Sequence, residues 1–309
     1  MTKTTAMLFG GCNMRGPLFR TVAPHLRIAE ADWSGVPDNI RLSGAPFMAY
    51  TLGEMLQTIR CYLGEQKLPE YIGPLCNMRA GWLPSPETNN LNRVDVILFE
   101  PNTSVEISFD GYIINRNPVL RMLIPLKKIS PYASKIAFHW YRKGIVGMDE
   151  DIKRVSAKEL IPLIGSGFPN RDLTIALLMG ATGHRTDLRG SLEKILARVA
   201  VPIGVVIYTF VYMPDGRSVG WPAEFTPQLL GAVSALDIPI FDPRRVVKEA
   251  GVSVALKKDL RHYTESFMPI MAKSLIEFAV DTASKKNAEP GAALARQREG
   301  FSSTATVTG

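Results

Sequence analysis

A cysteine near the N-terminus has the surroundings of a reactive thiol. Cys12 follows Gly10 and Gly11, and the apolar residues 6–9 before them predict a strand. A tight glycine turn would leave Cys12 at the carboxyl end of that strand, where open α/β sheets bind ligands. A helix N-terminus and the nearby cation of Arg15 are expected to lower the pKa of such a thiol. Taken alone, Cys12 also fits a small buried side chain at a strand–helix junction.

An aspartate and a histidine near the other end have the spacing of a base and its orienting group. In Asp259-Leu260-Arg261-His262, just before the last predicted helix, the offset of three lets the carboxylate reach the imidazole ring. The alternative is a helix-capping aspartate beside a surface histidine. Together with Cys12, the pair predicts acyl transfer through a covalent intermediate, with His262 as base and Asp259 orienting it.

The order of these blocks resembles the SGNH (GDSL) hydrolase superfamily over about residues 5–280. Cys12 stands where that family has the serine of its Gly-Asp-Ser block, and Asp259 with His262 matches the final block. A cysteine at this place is similar to two side branches. These are the Gly-Ser-Cys-Phe-Ala domain proteins and a group of capsule-polysaccharide acetyltransferases with Gly-Asn-Cys.

Two middle blocks extend the resemblance. Ser43-Gly44-Ala45 looks like the second block, and Glu100-Pro101-Asn102-Thr103 looks like the third. The resemblance implies that the Gly44 N–H and the Asn102 amide bind the oxyanion of a tetrahedral intermediate. The chain departs from the family at Gly11, which replaces an aspartate. The third block also lacks its glycine and its last aspartate.

Alternating strand and helix patterns predict an α/β fold. The resemblance implies a three-layer sandwich with a mainly parallel five-stranded sheet, similar to flavodoxin-like folds. Strands are predicted at residues 6–9, 39–42, 94–99, 173–179, 203–211 and 238–241, and helices at 14–27, 51–63, 188–199, 226–236 and 264–280, the last capped by Thr264. We expect one domain over residues 1–281 with a cap-like insertion at about 103–165. Residues 282–309 have the composition of a disordered tail.

Two further segments carry groups with chemical potential. His184 follows a predicted strand and is either a substrate contact or an ordinary loop residue. Residues 139–143 mix aromatic and basic side chains, which fits a lid, a phosphate contact or a packed amphipathic segment.

Composition narrows the function classes. Three cysteines without a Cys-x-x-Cys pair and four scattered histidines argue against a disulfide framework and a zinc site. The longest apolar run, residues 203–213, is too short to span a membrane, and a cytoplasmic location is the default expectation. The net charge of +7 leaves a basic nucleic-acid-associated protein as a third interpretation. Because the basic residues do not form one long run, binding to nucleic acid is not expected.

The sequence thus predicts an acyl hydrolase or O-acyltransferase that works through acyl-Cys12. No cofactor or metal is expected, and acyl-coenzyme A fits as a co-substrate, with a carbohydrate or alcohol as acceptor. Basic residues near the predicted site suit the phosphates of an anionic donor: Arg15, Arg116, Arg142, Lys143 and Arg185. The alternative is a catalytically inactive module that binds an anionic or carbohydrate ligand. Hydrolysis against transfer and the oligomeric state are left open.

Overall fold

The computed structural model describes ten ranges of the chain, which are residues 3–23, 25, 27, 31–43, 49–78, 83–208, 211–212, 218–219, 225–260 and 262–285. The strands are β1 (Thr4–Gly10), β2 (Ile40–Ser43), β3 (Val96–Glu100), β4 (Val105–Phe109), β5 (Tyr112–Ile114), β6 (Thr182–Arg185), β7 (Ile203–Val206), β8 (Val211–Tyr212), β9 (Ser218–Val219) and β10 (Ile240–Phe241). The helices are α1 (Cys12–Val22), α2 (Leu52–Tyr62), α3 (Arg116–Ile129), α4 (Pro131–His139), α5 (Glu150–Leu160), α6 (Arg171–Gly180), α7 (Leu188–Leu196), α8 (Phe225–Ser234), α9 (Pro243–Ala250), α10 (Val252–Ala255) and α11 (Met268–Ser284).

The main sheet has five parallel strands in the order β2-β1-β3-β7-β10. Its central strands are apolar runs buried on both faces, as parallel sheets covered by helices require. The chain winds outward in one direction from β1 to β2 and in the other from β3 to β10. The point where the order reverses lies between β1 and β3, which is where open sheets of this kind hold ligands.

Helices cover both faces of this sheet and complete three layers. One layer contains α1, α9 and α11, and α11 packs directly on β1, β3 and β7. The other contains α2, α7 and α8, whose apolar faces join the same hydrophobic core. The predicted α/β three-layer fold with a mainly parallel five-stranded sheet is therefore confirmed.

A second unit fills the chain between β3 and α7. Strands β5, β4 and β6 form an antiparallel sheet, and α3 to α6 surround it with a separate hydrophobic core. The cap-like insertion expected at about 103–165 covers the first part of this unit. Its sheet is completed further along, by β6, so the unit extends to Arg185.

The strand predicted at residues 173–179 is wrong, because this segment lies in helix α6. Its buried residues Thr174, Leu177 and Leu178 are spaced by three and four, which is the helical period. A short apolar run without clear alternation fits either element, and here the helix packs against the second core. His184 consequently lies inside β6, not after a strand of the main sheet.

The last helix also begins later than predicted. Thr264 does not cap it, since the Thr264 hydroxyl donates to the Val254 carbonyl 2.5 Å away, and α11 begins at Met268 with Pro269 in its first turn. The helix continues to Ser284, into the predicted tail, while residues 286–309 lie outside the described residues. Within the described ranges, no helix has the length and hydrophobicity needed to cross a membrane.

The close contact between β1 and β3 permits only glycine at position 10. Gly10 pairs with Glu100 and has φ of +150°, and a Cβ there would lie 2.6 Å from the Glu100 Cβ. Gly16, inside α1, has no heavy atom within 4 Å of the place of its Cβ. Position 10 therefore has both a backbone conformation and a close contact that exclude a side chain, whereas position 16 has room for one.

We predict that Gly10→Ala lowers the free energy of unfolding by about 2–5 kcal/mol, from backbone strain and overpacking. Gly16→Ala should raise it by about 0.5–1 kcal/mol, because alanine favours a helix interior. Urea denaturation measures both. Equal effects of the two substitutions would show that the β1–β3 contact imposes no such constraint.

Candidate active site

The Cys12 side chain lies at the point where the strand order of the main sheet reverses. Gly10 ends β1 opposite Glu100 of β3, and Gly11 precedes α1 as its N-terminal cap. Cys12 is the first residue of α1 and is exposed. Asn102 follows β3 by two residues, just as Cys12 follows β1, so both come directly after the carboxyl ends of two paired strands.

A buried carboxyl group supports the turn that carries the thiol. Glu100 is fully buried, and its Oε2 accepts the backbone N–H of Met14 at 3.2 Å and that of Gly11. Burial raises the pKa of Glu100 to about 8, against the lowering effect of these two N–H groups. Its Oε1 has no hydrogen-bond partner in the described part of the chain. Sequence reasoning gave Glu100 no role, although a glutamate ending a wholly apolar strand was a visible signal.

The environment raises the pKa of the Cys12 thiol, contrary to the prediction from its helix N-terminus. Although the residue as a whole is exposed, protein groups around its sulfur remove part of the surrounding water, and this contributes most. The negative charges of Glu100, when it is ionised, and of Asp259 follow. A hydrogen bond from a backbone N–H lowers the thiol pKa, as predicted, but its effect is smaller than the combined effect of burial and the two carboxylates. Arg15 does not supply the expected compensation, because its guanidinium lies over the Phe19 ring at 5.1 Å. At neutral pH, Cys12 is therefore a thiol whose proton must be removed by a base.

The Asp259 carboxylate is hydrogen-bonded to the His262 imidazole, as expected of a group that orients a histidine base. The Asp259 Oδ2 lies 2.5 Å from the His262 Nδ1, and its Oδ1 accepts the His262 backbone N–H at 3.1 Å. With the proton on Nδ1, the lone pair is on Nε2, as a general base requires. Both side chains are about half exposed, at 47% and 50%. The negative charge of Asp259 is one of the contributions that raise the pKa of Cys12.

A tight loop fixes this pair in front of α11. The Leu260 backbone adopts a left-handed conformation with φ of +53°, and the Lys257 N–H donates to the His262 carbonyl at 2.8 Å. Tyr263 bridges to Leu256 and packs edge-on against Phe267 at the start of α11. The last helix thereby holds the loop against the α1 side of the sheet.

Two buried amides line the site and have atoms without partners. The Asn102 N–H donates to the Tyr50 carbonyl at 3.1 Å, while its Oδ1 is unpaired among the described residues. Asn13 lies next to the thiol, with its Oδ1 3.8 Å from the Cys12 Sγ, and its Nδ2 is likewise unpaired there. Buried polar atoms normally have partners, so these are candidates for contact with a bound molecule. Gly44, the other predicted oxyanion donor, lies outside the described residues.

A tyrosine and an arginine join the site to the second unit. The Tyr50 ring lies against Gly11, and its hydroxyl accepts the Asn117 amide at 2.9 Å. The Arg116 guanidinium lies 4.8 Å from the centre of the Tyr50 ring, a cation–π contact. Arg116, the first residue of α3, is therefore joined through the Tyr50 ring to the turn that carries Cys12.

The structure gives His184 a different partner from the predicted substrate. Its Nε2 lies 3.2 Å from the Glu106 Oε2 across the β4–β6 pair, and the other Glu106 oxygen accepts the Gly53 N–H at 2.6 Å. This contact ties the second sheet to the first turn of α2. Residues 139–143 form a packed amphipathic segment, where Trp140 and Tyr141 are buried and the neighbouring bases are exposed. No cluster of metal-ligating side chains occurs in the ranges that the structure describes.

A family model described as the TviD N-terminal domain matches residues 4–278 of the chain. The chain belongs to this family. The match of the TviD N-terminal domain covers both sheets, the Cys12 turn and the Asp259–His262 loop. Searches of curated proteins and of solved structures found no match.

We predict that alkylation of Cys12 by iodoacetamide has its pH midpoint above the ordinary thiol value of 9.0. Glu100→Gln should lower this midpoint, since it removes a carboxyl group whose ionised form raises the thiol pKa. At pH 9, above the Glu100 pKa of about 8, we expect alkylation to be about three- to tenfold faster in the variant. Peptide mapping distinguishes Cys12 from the buried Cys61 and Cys76.

Glu54→Gln is the matched control. Glu54 is equally buried and also has a pKa of about 8, but the charges acting on Cys12 are Glu100 and Asp259. Its substitution should leave the Cys12 profile unchanged. A profile that is insensitive to Glu100→Gln would contradict the proximity effect described above.

Proposed function

We propose that this protein is an acyltransferase that modifies a carbohydrate through an acyl-Cys12 intermediate, with an SGNH-like arrangement of its site. The main support for this proposal is the hydrogen-bonded Asp259–His262 pair, whose aspartate charge also acts on the Cys12 thiol. The family relation supports the substrate class, because TviD N-terminal domains are related to the Vi capsule polysaccharide acetyltransferase. A polysaccharide hydroxyl is then the acceptor.

In the first half-reaction, the Cys12 sulfur attacks the carbonyl carbon of an acyl donor. The His262 Nε2 removes the thiol proton as the carbon–sulfur bond forms, and Asp259 stabilises the imidazolium through Nδ1. The tetrahedral intermediate then collapses and expels the leaving group, which takes the proton from His262. The product is a thioester on Cys12 and a protonated leaving group.

In the second half-reaction, an acceptor hydroxyl attacks the thioester carbonyl. His262 takes the hydroxyl proton, and collapse of the intermediate breaks the carbon–sulfur bond. The sulfur receives that proton, so Cys12 is a thiol again and the acyl group has become an ester of the acceptor. An acyl thioester such as acyl-coenzyme A suits the donor, since transfer between two thioesters involves little change in free energy, and no cofactor takes part.

The oxyanion of both intermediates needs donors at the same edge. The Cys12 backbone N–H, at the first turn of α1, has no acceptor within the helix, and the Asn102 amide lies beside it. Loss of one such donor typically lowers the rate by about 10²–10³. The Asn13 Nδ2, which has no partner among the described residues, is a further polar group next to the sulfur.

The raised pKa of Cys12 favours a second candidate, a binding module for a carbohydrate or anionic ligand. In that case the thiol is inert, and Arg116 on the Tyr50 ring serves for recognition. The two candidates differ in whether Cys12 ever carries an acyl group.

We predict that incubation with acyl-coenzyme A and acyl esters adds one acyl group, mapped to Cys12 by intact-protein and peptide mass spectrometry. Cys12→Ala should abolish the adduct, and His262→Ala should slow its formation by about 10³-fold. Asp259→Asn should cause a smaller loss, because only orientation of the base is affected.

His184→Ala is the matched control, since it removes the histidine of the other carboxylate–histidine pair. It should leave acylation of Cys12 unchanged. An equal loss in His184→Ala and His262→Ala would exclude His262 as the specific base. If no acyl adduct forms with any donor, the protein is better interpreted as a binding module than as an acyltransferase.

A further inference from the structure

The positive charge of the protein is concentrated in one segment of the second unit. Residues 111–148 contain no aspartate or glutamate and seven basic residues, namely Arg116, Arg121, Lys127, Lys128, Lys135, Arg142 and Lys143. The rest of the chain has 29 basic residues, equal to its 29 acidic ones. The formal net charge of +7 is thus the charge of this segment. No continuous basic run marks it in the sequence, because apolar residues separate the bases.

The fold turns these bases outward on two helices packed against each other. In α3, Val119, Leu123 and Leu126 are buried in the second core, whereas Arg121, Ile124 and Lys128 are exposed. The two sets lie on opposite sides of the helix by their spacing of three and four residues. Helix α3 therefore carries an outward stripe of alternating basic and apolar character.

Helix α4 repeats this arrangement. Ala133 and Ala137 are buried, and Lys135 and Phe138 are exposed on the opposite side, followed by Arg142 one turn later. The Arg142 guanidinium lies 5.3 Å from the centre of the Phe138 ring. Because α3 packs on α4, the stripes are neighbours. We call them the basic face, defined by Arg121, Ile124, Lys128, Lys135, Phe138 and Arg142.

Four large apolar side chains of this region are exposed. Ile124, Ile129, Tyr132 and Phe138 have 45–58% of their surface accessible. Single exposed apolar residues are ordinary, but here they alternate with bases on adjacent stripes. A polyanion in water would be bound by the bases alone. An anionic lipid surface binds both basic and apolar side chains. The basic groups contact the headgroups, and the aliphatic or aromatic groups lie below them.

We propose that the basic face binds the surface of an anionic lipid membrane. Charge complementarity selects anionic headgroups, and Ile124 and Phe138 enter the boundary between headgroups and acyl chains. Helix α3 begins at Arg116, which lies on the Tyr50 ring beside the Cys12 turn. The membrane surface would thus adjoin the candidate active site, and a lipid-linked or membrane-proximal acceptor would be presented to it.

Flotation with vesicles tests this proposal on the full chain. Wild-type protein should bind vesicles that contain phosphatidylglycerol, and it should not bind phosphatidylcholine vesicles at the same salt concentration. Lys128→Gln with Lys135→Gln should weaken binding about 25-fold, from about fivefold for each lost charge. Ile124→Ser with Phe138→Ser should weaken it about tenfold or more. Circular dichroism and thermal melts check that each variant is folded.

Ile270→Ser with Lys273→Gln is the matched control, since it removes an exposed apolar residue and an exposed base one turn apart on α11. It should bind vesicles as the wild type does. The proposal is overturned if wild-type protein does not float with anionic vesicles, or if the control loses as much binding as the basic-face variants. Binding to soluble heparin that equals vesicle binding and is unaffected by the serine substitutions would indicate a polyanion site instead. Acylation of Cys12 by a soluble donor is measured separately, so failure here leaves the proposed function untouched.

Discussion

The contact of the Gly10–Gly11 backbone with the Glu100 side chain is the constraint on which the site depends. It places a carboxyl group with no access to solvent directly under the first turn of α1. The Glu100 carboxyl accepts hydrogen bonds from backbone N–H groups of the turn. It is mostly protonated at neutral pH, which avoids placing a negative charge in the core. Any side chain at position 10 would separate β1 from β3 and displace the thiol. Support of the turn and control of thiol ionisation therefore come from the same residue.

This arrangement sets the chemical character of Cys12. Catalytic cysteines with depressed pKa values are stored as thiolates, whereas here burial and the charge of Asp259 keep the proton on sulfur, joined by Glu100 above its own pKa of about 8. A nucleophile of that kind resembles a serine in its need for a base at the moment of attack. The Asp259–His262 pair has the geometry to meet that need, and its half-exposed position leaves room for large donors and acceptors.

The sequence predicts the main sheet well because its strands are strong signals. Val96 to Phe99 has no polar residue, and the glycine pair marks the turn after β1. The second unit is harder to predict from the sequence, since its antiparallel strands and its helices pack on one another in a core of their own. The run at 173–179 has no alternation to distinguish strand from helix, and only tertiary packing makes it helical. The residue at which α11 begins depends on Pro269 and on the hydrogen bond from the Thr264 hydroxyl to the Val254 carbonyl. The spacing of apolar residues does not reveal either feature.

The sign of the Cys12 pKa shift was not predictable from the same motifs. The helix N-terminus is visible in the sequence, but the depth of the sulfur and the position of Glu100 arise only when β1 and β3 pair. Residues 12, 102, 259 and 262 could be proposed as a set because strand ends and the last helix meet at one edge of such folds. Their electrostatic environment depends on the tertiary packing around the β1–β3 pair.

The Glu106 carboxylate has a consequence for how freely the second unit can move. One of its oxygens holds the Gly53 N–H at the start of α2, and the other holds His184 in the second sheet. Displacing the second unit from α2 would break the Gly53 bond, whereas the His184 contact lies within the second sheet and would move with it. The broken bond would leave an oxygen of a carboxylate that is 5% exposed without its donor. Gly53 lies three residues after Tyr50, whose ring packs against Gly11 of the Cys12 turn. A buried hydrogen bond close to the candidate site therefore opposes movement of the second unit.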